Sequence, residues 1–255
     1  AELHDEMLFK QPPHEEDCPL CFIRLPSSIS GKRYMTCCGK VICSGCIHAV
    51  ENTRNTKVPL CAFCRTPAPV TTEEADKMTK ERIEANDPIA ICDFGCDYFG
   101  GNNGSAKALL ELWHRAGELG NAIAYLNIGN AYYHGRGVEV DKKIAVHYNE
   151  VAAIKGSVLA RFNLGGMEYE ARNMDRALKH WMIAVKDGEP SCLEYIRNIY
   201  SNGCATKDEY TQALRSYQTY LEGIKSDQRD EAAANWGSKY YESSERQPGC
   251  NSVML

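Results

Sequence analysis

From residue 87 onward, apolar and small side chains recur at three- and four-residue intervals, the spacing of one face of an α-helix. One stretch shows the pattern clearly. Asn121 is a suitable helix N-cap, and Ile123, Leu126 and Ile128 then supply the apolar side of the helix. The glycines of Gly135-Arg136-Gly137 break the pattern. The spacing therefore predicts a helix between Asn121 and Gly135.

A second helix follows, and the two together form a repeating unit. Asp141 is its predicted N-cap, and it is expected to run to Lys155 and to stop at Gly156. Such units recur at steps of 32 to 36 residues, which indicates an internal repeat. The recurring positions include Gly95-x2-Tyr98, Gly129-x2-Tyr132, Gly165-x2-Glu168 and Arg197-x2-Tyr200, and also Leu109, Ala145, Ala177 and Ala213.

Small residues stand where the two helices of a unit must meet. Gly129, Ala145 and Ala152-Ala153 have little or no side chain, so the helices can approach closely, while large aromatics such as Trp113 fill the space between units. A single helix pair cannot bury its apolar face alone. The repeats therefore predict an all-α solenoid of four helix pairs over residues 87–225.

The last repeat departs from the others, as terminal repeats commonly do. Arg197 replaces the glycine, and the second helix opens with the capping-box pattern Thr206-x2-Glu209. Residues 226–243 are predicted to form a capping helix on this unit, and residues 244–255 are predicted to be a disordered tail.

The N-terminal third lacks this periodicity and is divided by composition. Residues 1–17 are polar and acidic and predict an extended N-terminal arm. Residues 18–67 hold most of the cysteines and end in a proline-rich stretch. Residues 68–86 are predicted to be a linker, whose charged part, 71–86, suits either a flexible connection or a connecting helix.

Eight of the thirteen cysteines fall within 47 residues. Two intervening residues close too small a ring for local disulfides, whereas thiolates at a Cys-x2-Cys spacing converge readily on one metal ion. Zinc takes four such ligands, so the cluster predicts two structural zinc ions with no open position for water. The candidate ligands are Cys18, Cys21, Cys37, Cys38, Cys43, Cys46, Cys61 and Cys64.

Two alternatives stay open at the cysteines. Buried free thiols would explain them without a metal. Because Cys37 and Cys38 are adjacent, one of them could be left out of its site, which water or another side chain would then complete. The histidines are dispersed and no phosphate-binding glycine loop is present, so no catalytic residue and no organic cofactor site is predicted.

Charge and hydropathy narrow the class of partner. Residues 18–66 hold seven Lys or Arg against a single acid, Glu51, whereas the whole chain has a net charge of −5. A basic module favours nucleic acid, but eight thiolates on two zinc ions would remove four of these charges, so nucleic acid is an unlikely partner.

No run of 18 apolar residues exists, and no membrane span is predicted. The metal-type cysteines indicate a reducing compartment, so an intracellular location, cytoplasmic or nuclear, is expected.

The repeats resemble Sel1-like repeats, a subclass of the tetratricopeptide type. The resemblance rests on Gly-x2-Tyr, then Gly-x-Gly, then an Asp-led helix that ends in Ala-Ala-x2-Gly, a pattern that residues 129–156 carry almost complete. The other units carry it in part, and the third lacks the Gly-x-Gly turn. The resemblance implies a solenoid that serves as an interaction scaffold for a protein substrate or adaptor.

The cysteine module resembles a RING finger, and more closely the C4C4 variant in the ubiquitin ligase subunit of the CCR4–NOT complex. Both open with Cys-Pro-Leu-Cys, and both leave four residues between the second cysteine pair and the next cysteine. A usual RING has histidine where Lys40 stands here, and the second pair of the C4C4 variant is not adjacent as Cys37-Cys38 is. The resemblance implies a cross-brace, with Cys18, Cys21, Cys43 and Cys46 at one zinc and Cys61 and Cys64 with the Cys37/Cys38 region at the other.

The same resemblance implies contacts to a ubiquitin-conjugating enzyme, or E2. Leu20 stands where the family keeps an apolar E2 contact, and Arg65 stands where active members keep a cation that bridges E2 and ubiquitin. Ala62 replaces the proline that is frequent at its position. The leading hypothesis is therefore a RING-type E3 ubiquitin-protein ligase. A non-catalytic zinc-binding scaffold, a nucleic-acid-associated zinc protein and PHD-, FYVE- or MYND-like modules are the alternatives.

Overall fold

The computed structural model describes the backbone of residues 2–12, 16–27, 31–53, 58–100 and 105–244, and the predicted tail falls almost wholly outside these ranges. No helix in the described ranges is both long and apolar enough to cross a membrane. The elements in chain order are α1 (Glu2–Leu8), β1 (Lys32–Met35), β2 (Lys40–Cys43), α2 (Ser44–Thr53), α3 (Thr72–Glu84), α4 (Pro88–Gly100), α5 (Ala106–Glu118), α6 (Ala122–His134), α7 (Lys142–Ile154), α8 (Val158–Glu170), α9 (Met174–Lys186), α10 (Ser191–Ser201), α11 (Lys207–Ile224) and α12 (Asp227–Ser244).

Helices α4 to α11 form four successive pairs, and each pair packs against the next. The predicted caps are confirmed. The Asn121 side chain accepts hydrogen bonds from the amides of Ile123 and Ala124, and Asp141 caps α7 in the same way. Gly135 ends α6 in the left-handed region, at φ +68°, where glycine is favoured. At α11, Thr206 and Glu209 form the capping box. The helix boundaries are thus set by local side-chain chemistry.

The repeated glycines mark the places where paired helices touch. A Cβ atom on Gly129 would lie 3.2 Å from the Ala145 carbonyl oxygen of α7. A Cβ atom on Gly165 would lie 2.2 Å from Nε1 of Trp181, a side chain with no exposed surface. The close approach that the small residues predicted is therefore confirmed, and it fixes the geometry of the second and third pairs.

The N-terminal segment differs from the predicted extended arm, because residues 2–8 are helical and pack against α7. Leu8 has no exposed surface and lies in a core cluster with Leu126, Ala152 and Leu164. A seven-residue helix is marginal by itself. This helix is therefore stabilised by its contact with the solenoid, which no local sequence signal reveals.

The cysteine module, residues 18–67, contains a small hairpin of β1 and β2 followed by α2. It contacts both ends of the solenoid. The Tyr34 hydroxyl donates to the Asp87 carboxylate at the start of α4, at 2.8 Å, and the Ser27 amide donates to the Tyr220 hydroxyl on α11, also at 2.8 Å. The connection between module and solenoid is the helix α3, one of the two forms expected for residues 71–86.

The helix predicted to cap the fourth repeat has a different partner. α12 packs against α2 of the cysteine module, and a Cβ atom on Gly45 would lie 2.8 Å from the Arg229 amide nitrogen. The buried Arg229 guanidinium donates to the carbonyl oxygens of Arg24 at 2.8 Å and Ile23 at 3.2 Å. A helix is present where one was predicted, but its main packing partner is α2 of the module, and its contact with the fourth repeat includes the hydrogen bond from Arg229 to the Ile224 carbonyl at the end of α11, at 2.6 Å.

Candidate metal centre

Two hairpin-like loops of matching geometry carry the first and the last cysteine pairs. In one, the Cys18 amide donates to the Ile23 carbonyl at 3.0 Å, and in the other the Cys61 amide donates to the Thr66 carbonyl at 2.8 Å. The residue after each pair has a positive φ, 57° at Phe22 and 64° at Arg65. Both loops therefore turn their two thiols inward by the same backbone conformation.

The other two cysteine pairs are positioned by the hairpin and by α2. Cys37 and Cys38 lie in the turn between β1 and β2, and Cys43 and Cys46 lie where β2 meets α2. The turn needs Gly39, whose φ is +69° and where a Cβ atom would lie 2.6 Å from the Asp87 carboxylate. The turn is thus shaped partly by the solenoid against which it packs.

The first cluster joins the first and third cysteine pairs. The four sulfur atoms of Cys18, Cys21, Cys43 and Cys46 lie within 4.8 Å of one another. The Sγ atoms of Cys18 and Cys46 are 3.9 Å apart, and those of Cys21 and Cys43 are 3.8 Å apart. Four thiolates in a tetrahedron around zinc, each at about 2.3 Å, lie about 3.8 Å apart. This cluster therefore has the donor type, number and spacing of a closed zinc site.

The second cluster joins the second and fourth pairs and includes both adjacent cysteines. The sulfur atoms of Cys37, Cys38, Cys61 and Cys64 lie within 4.8 Å of one another. The Cys38 and Cys61 Sγ atoms are 3.8 Å apart, and those of Cys37 and Cys64 are 3.4 Å apart. Cys64 is exposed, unlike Cys61, so this cluster lies nearer the surface. The structure therefore brings all eight predicted cysteines into two groups of four that could each hold a metal ion.

The thiols influence one another's ionisation. A hydrogen bond from Cys43 lowers the pKa of Cys18 to about 4, against the opposing effect of burial. Burial raises the pKa of Cys46 to about 12 and that of Cys38 to about 11. Each cluster therefore resists carrying several negative charges unless a cation lies among them. A divalent ion supplies that charge, and metal binding then releases protons from the remaining thiols.

The two predicted E2-contact residues lie in different surroundings. Leu20 is partly buried and packs against the core of the module. Arg65 is exposed, directly after the last cysteine of the second cluster. Leu20 thus combines a packing role with partial accessibility, whereas Arg65 is available to a partner.

Sequence reasoning missed two exposed aromatic side chains on the same loops. Phe22 is 78% exposed and is the structural counterpart of Arg65, one residue beyond its cysteine pair. Phe63, between Cys61 and Cys64, is 42% exposed. A large apolar residue beside a cysteine pair was the available signal, because exposed aromatics are common at interaction sites. Both candidates belong to the cysteine loops and not to the hairpin.

No protein-family profile matches the chain, but two curated relatives match part of it. A stretch of 57 residues is 48% identical to the ERAD-associated E3 ubiquitin-protein ligase component HRD3B of Arabidopsis thaliana. A stretch of 64 residues is 43% identical to HRD3A, which has the same description and comes from the same plant. These stretches are 22% and 25% of this chain and 9% of each relative, so the chain spans only a small part of the relatives it matches.

Two solved structures are similar to part of this chain. A Sel1 repeat protein from Oxalobacter formigenes is 21% identical, with a TM-score of 0.48 over 67% of this chain and 79% of that one. The antigen c5321 of uropathogenic Escherichia coli, described as having an SLR fold, is 25% identical, with a TM-score of 0.44 over 66% of this chain and 36% of that one. The solenoid itself is established by the observed stacking of helix pairs.

Proposed function

We propose that this chain is a RING-type E3 ubiquitin-protein ligase with two structural zinc ions and a solenoid of Sel1-like repeats that binds a substrate or an adaptor. The observation that carries the proposal is the interleaved grouping of eight cysteines, with the first pair beside the third and the second beside the fourth. Interleaving ties the two ends of a short module together, so that both cysteine loops keep a fixed relation to each other.

Zinc would act through folding in this proposal. Cys18, Cys21, Cys43 and Cys46 would hold one ion, and Cys37, Cys38, Cys61 and Cys64 the other, each with four sulfur ligands. A closed site supplies structural rigidity and leaves no position for a zinc-activated water. Cysteine ligation of this kind also needs a reducing environment, so the proposal places the module in the cytosol or nucleus.

The module would accelerate ubiquitin transfer by position. Leu20 would contribute an apolar contact to the E2, and the guanidinium of Arg65 would bridge the E2 and its ubiquitin. Holding a thioester in a reactive geometry lowers the barrier without a nucleophile from the ligase. The two Arabidopsis relatives are components of a ubiquitin-protein ligase, which supports the same biochemical context.

The test is single-turnover discharge of ubiquitin from a panel of loaded E2 enzymes. Leu20→Ala should weaken E2 binding about thirtyfold, since truncating an interface anchor commonly costs about 2 kcal/mol. Arg65→Ala should leave E2 binding nearly unchanged and slow the discharge step. Lys107→Ala is the matched control for a lost surface cation, because Lys107 is exposed and lies on α5, outside the cysteine module.

Zinc content is measured for every variant, because Leu20 also packs in the module. A wild-type chain that accelerates discharge from no E2 in the panel overturns the ligase proposal. Variants at Leu20 and Arg65 that match an active wild type would show that the E2 contacts lie elsewhere.

The second candidate is a non-catalytic scaffold, and the contacts between the module and the solenoid favour it. Tyr34 and Ser27 join the module to the first and last repeats, and Arg24 donates to the Asp187 carboxylate after α9 at 2.8 Å. A module used only to fix the shape of the solenoid would need these contacts and no E2. Substrate or adaptor binding without any discharge would support this candidate.

A further inference from the structure

The N-terminal segment lies on a surface of the second and third repeats that has the properties of a peptide-binding site. We call this surface the arm site, and residues 4–12, which lie against it, the arm. It is formed by the end of α7 together with α8 and α9. Its residues are Ala152, Ala153, Ala160, Arg161, Arg176 and His180.

The arm site selects one apolar side chain by shape. Leu8 is completely buried in a cluster that includes Ala152, Ala153 and Ala160, whose methyl groups leave room for it. The preceding residue, Met7, is 57% exposed. The arm therefore presents one fully buried anchor residue, as a bound peptide does, while the residue before it stays in solvent.

Arg161 binds the main chain of the arm. The residue is 1% exposed, and its guanidinium donates to the carbonyl oxygens of Leu8 and Lys10, the latter at 3.3 Å. It also reaches the Ala153 carbonyl at 3.4 Å. Burial lowers the pKa of Arg161 to about 10, so it keeps its charge at neutral pH. A buried cation whose hydrogen bonds go to backbone carbonyls can bind any segment that offers the same main-chain path.

Charge and aromaticity supply further selection. Arg176 donates to both carboxylate oxygens of Asp5, at 3.0 and 3.1 Å. The Phe9 ring lies 5.0 Å from the Arg176 guanidinium and 4.7 Å from the ring of His180, measured to the ring centroids. The arm site thus recognises an acidic residue, then leucine three positions later, then an aromatic residue.

His180 shows that the arm is an imperfect occupant. It has no exposed surface, and within the described residues neither of its ring nitrogens has a hydrogen-bond partner. The Phe9 ring covers it without offering a donor or an acceptor. A buried polar group that stays unpaired weakens the docked state. The arm is therefore bound, but by a surface whose polar groups it does not fully satisfy.

We propose that the arm site is a docking site for a partner protein's helical segment of the pattern acidic-x2-Leu-aromatic, and that residues 4–12 occupy it in cis as a competitor. This inference deepens the substrate- or adaptor-binding part of the proposed function and rests on that part alone. A tethered occupant has an effective concentration on the order of millimolar, so a partner must displace it. The seven-residue α1 gains little stability without the surface, which makes release feasible.

The experiment uses the 255-residue chain and a fluorescent peptide with the sequence of residues 2–12. Leu8→Asp should release the arm in cis, because it places a charge in the apolar cluster. Met7→Asp is the matched control, since it adds the same charge at an exposed neighbour. We expect the Leu8→Asp chain to bind the peptide at least tenfold more tightly than the wild-type or Met7→Asp chains. Adding Arg161→Gln to the Leu8→Asp chain should abolish the gain.

Peptide variants test the recognition pattern. Replacing the peptide residue that corresponds to Leu8 should weaken binding most, replacing Phe9 should weaken it less, and replacing Asp5 should weaken it least. If Leu8→Asp lowers the helical circular dichroism by more than the seven residues of α1 can account for, Phe9→Ala is used to release the arm, because Phe9 is only partly buried. A released, folded chain that binds the peptide no better than wild type overturns the inference and makes the arm a structural element only. Peptide binding without ubiquitin discharge would support this inference and reject the E2 proposal. Ubiquitin discharge without peptide binding would support the E2 proposal and reject this inference.

Discussion

The cysteine module and the helix pairs differ in what fills their interiors. Half of the buried cluster of the module is cysteine, and its large apolar residues are Leu25, Ile42 and Ile47. The cluster of the third and fourth repeats contains Trp181, Phe162, Ile196 and others, with one cysteine among eleven buried residues. Apolar burial stabilises the helix pairs without a metal ion, whereas in the module sulfur atoms occupy the positions that an apolar core would otherwise fill. The comparison predicts that the two regions respond differently to the same perturbation.

Metal removal should give the largest difference. Chelation should unfold residues 18–67, because structural zinc contributes roughly 10–16 kcal/mol to small domains of this kind. Helices α4 to α11 should remain, since they contain neither four-cysteine cluster. The measurement is far-ultraviolet circular dichroism with and without chelator, with proteolysis to locate the unfolded part.

The helix α12 sharpens this prediction, because its main packing partner is α2 of the module. Its helical signal and its protection from proteolysis should be lost with the module. Loss of most of the helical signal would contradict the independence of the solenoid, and an unchanged module would contradict its dependence on metal.

Adding one methyl group to a helix of the solenoid should have the opposite selectivity, because it should destabilise the helix pairs and leave the cysteine module unaffected. Gly165→Ala should destabilise the solenoid by about 1–3 kcal/mol, because the new Cβ would overlap Trp181, whose indole donates to the Phe162 carbonyl and cannot easily move. Gly166→Ala is the matched control. Its Cβ would meet nothing within 4 Å, so alanine should stabilise the helix by about 0.5–1 kcal/mol.

The measurement for this pair is urea unfolding followed by circular dichroism, together with zinc analysis. Both variants should keep the zinc content of the wild type. Equal stability of the two variants would show that the close contact between α8 and α9 does not constrain the third repeat.

The smallest expected effect is a pH dependence confined to the solenoid. Burial, reinforced by Arg161 and Arg176, lowers the pKa of His180 to about 3 in the docked state, against the opposing effect of Asp5. Undocking should return it towards its ordinary value of about 6.5. The docked state then binds fewer protons than the undocked state. Peptide affinity should therefore be highest above about pH 6.5 and should fall by up to tenfold per pH unit below it.

Anisotropy titrations of the Leu8→Asp chain between pH 8 and pH 5.5 measure this slope. The same chain with His180→Phe keeps a ring against Phe9 and should lose this slope. Both chains are titrated with a peptide that has phenylalanine at the His4 position, because the His4 imidazole lies 3.4 Å from the Glu150 carboxylate. A slope that persists in the His180→Phe chain would assign the titration to another group.

Much of the solenoid could be predicted because its signals are local. Asn121, Asp141 and the Thr206–Glu209 pair cap helices within three residues of themselves, and Gly165 marks a contact repeated along the chain. The four-cysteine groups were predictable for a related reason, since ligand spacing and family resemblance limit how eight thiols can be shared.

The long-range contacts could not be predicted in this way. The α1 helix is too short for a periodic signal, and Leu8 is buried by residues more than a hundred positions away. Arg229 lies in a polar helix, yet its guanidinium binds carbonyl oxygens of residues 23 and 24. Both contacts form because the folded solenoid brings distant residues next to the N-terminal part of the chain. No single segment of the sequence specifies this arrangement.

The most direct test of the central claim is native mass spectrometry of the full chain, with the zinc ions counted per molecule. The account predicts two zinc ions in the wild type. A serine at Cys18, in the more buried cluster, should reduce the count to one while the second cluster keeps its ion. Separate Cys37→Ser and Cys38→Ser chains would show whether both adjacent thiols are needed at the second cluster. A wild-type chain that carries a single zinc ion, or none, while residues 18–67 remain folded would contradict the account.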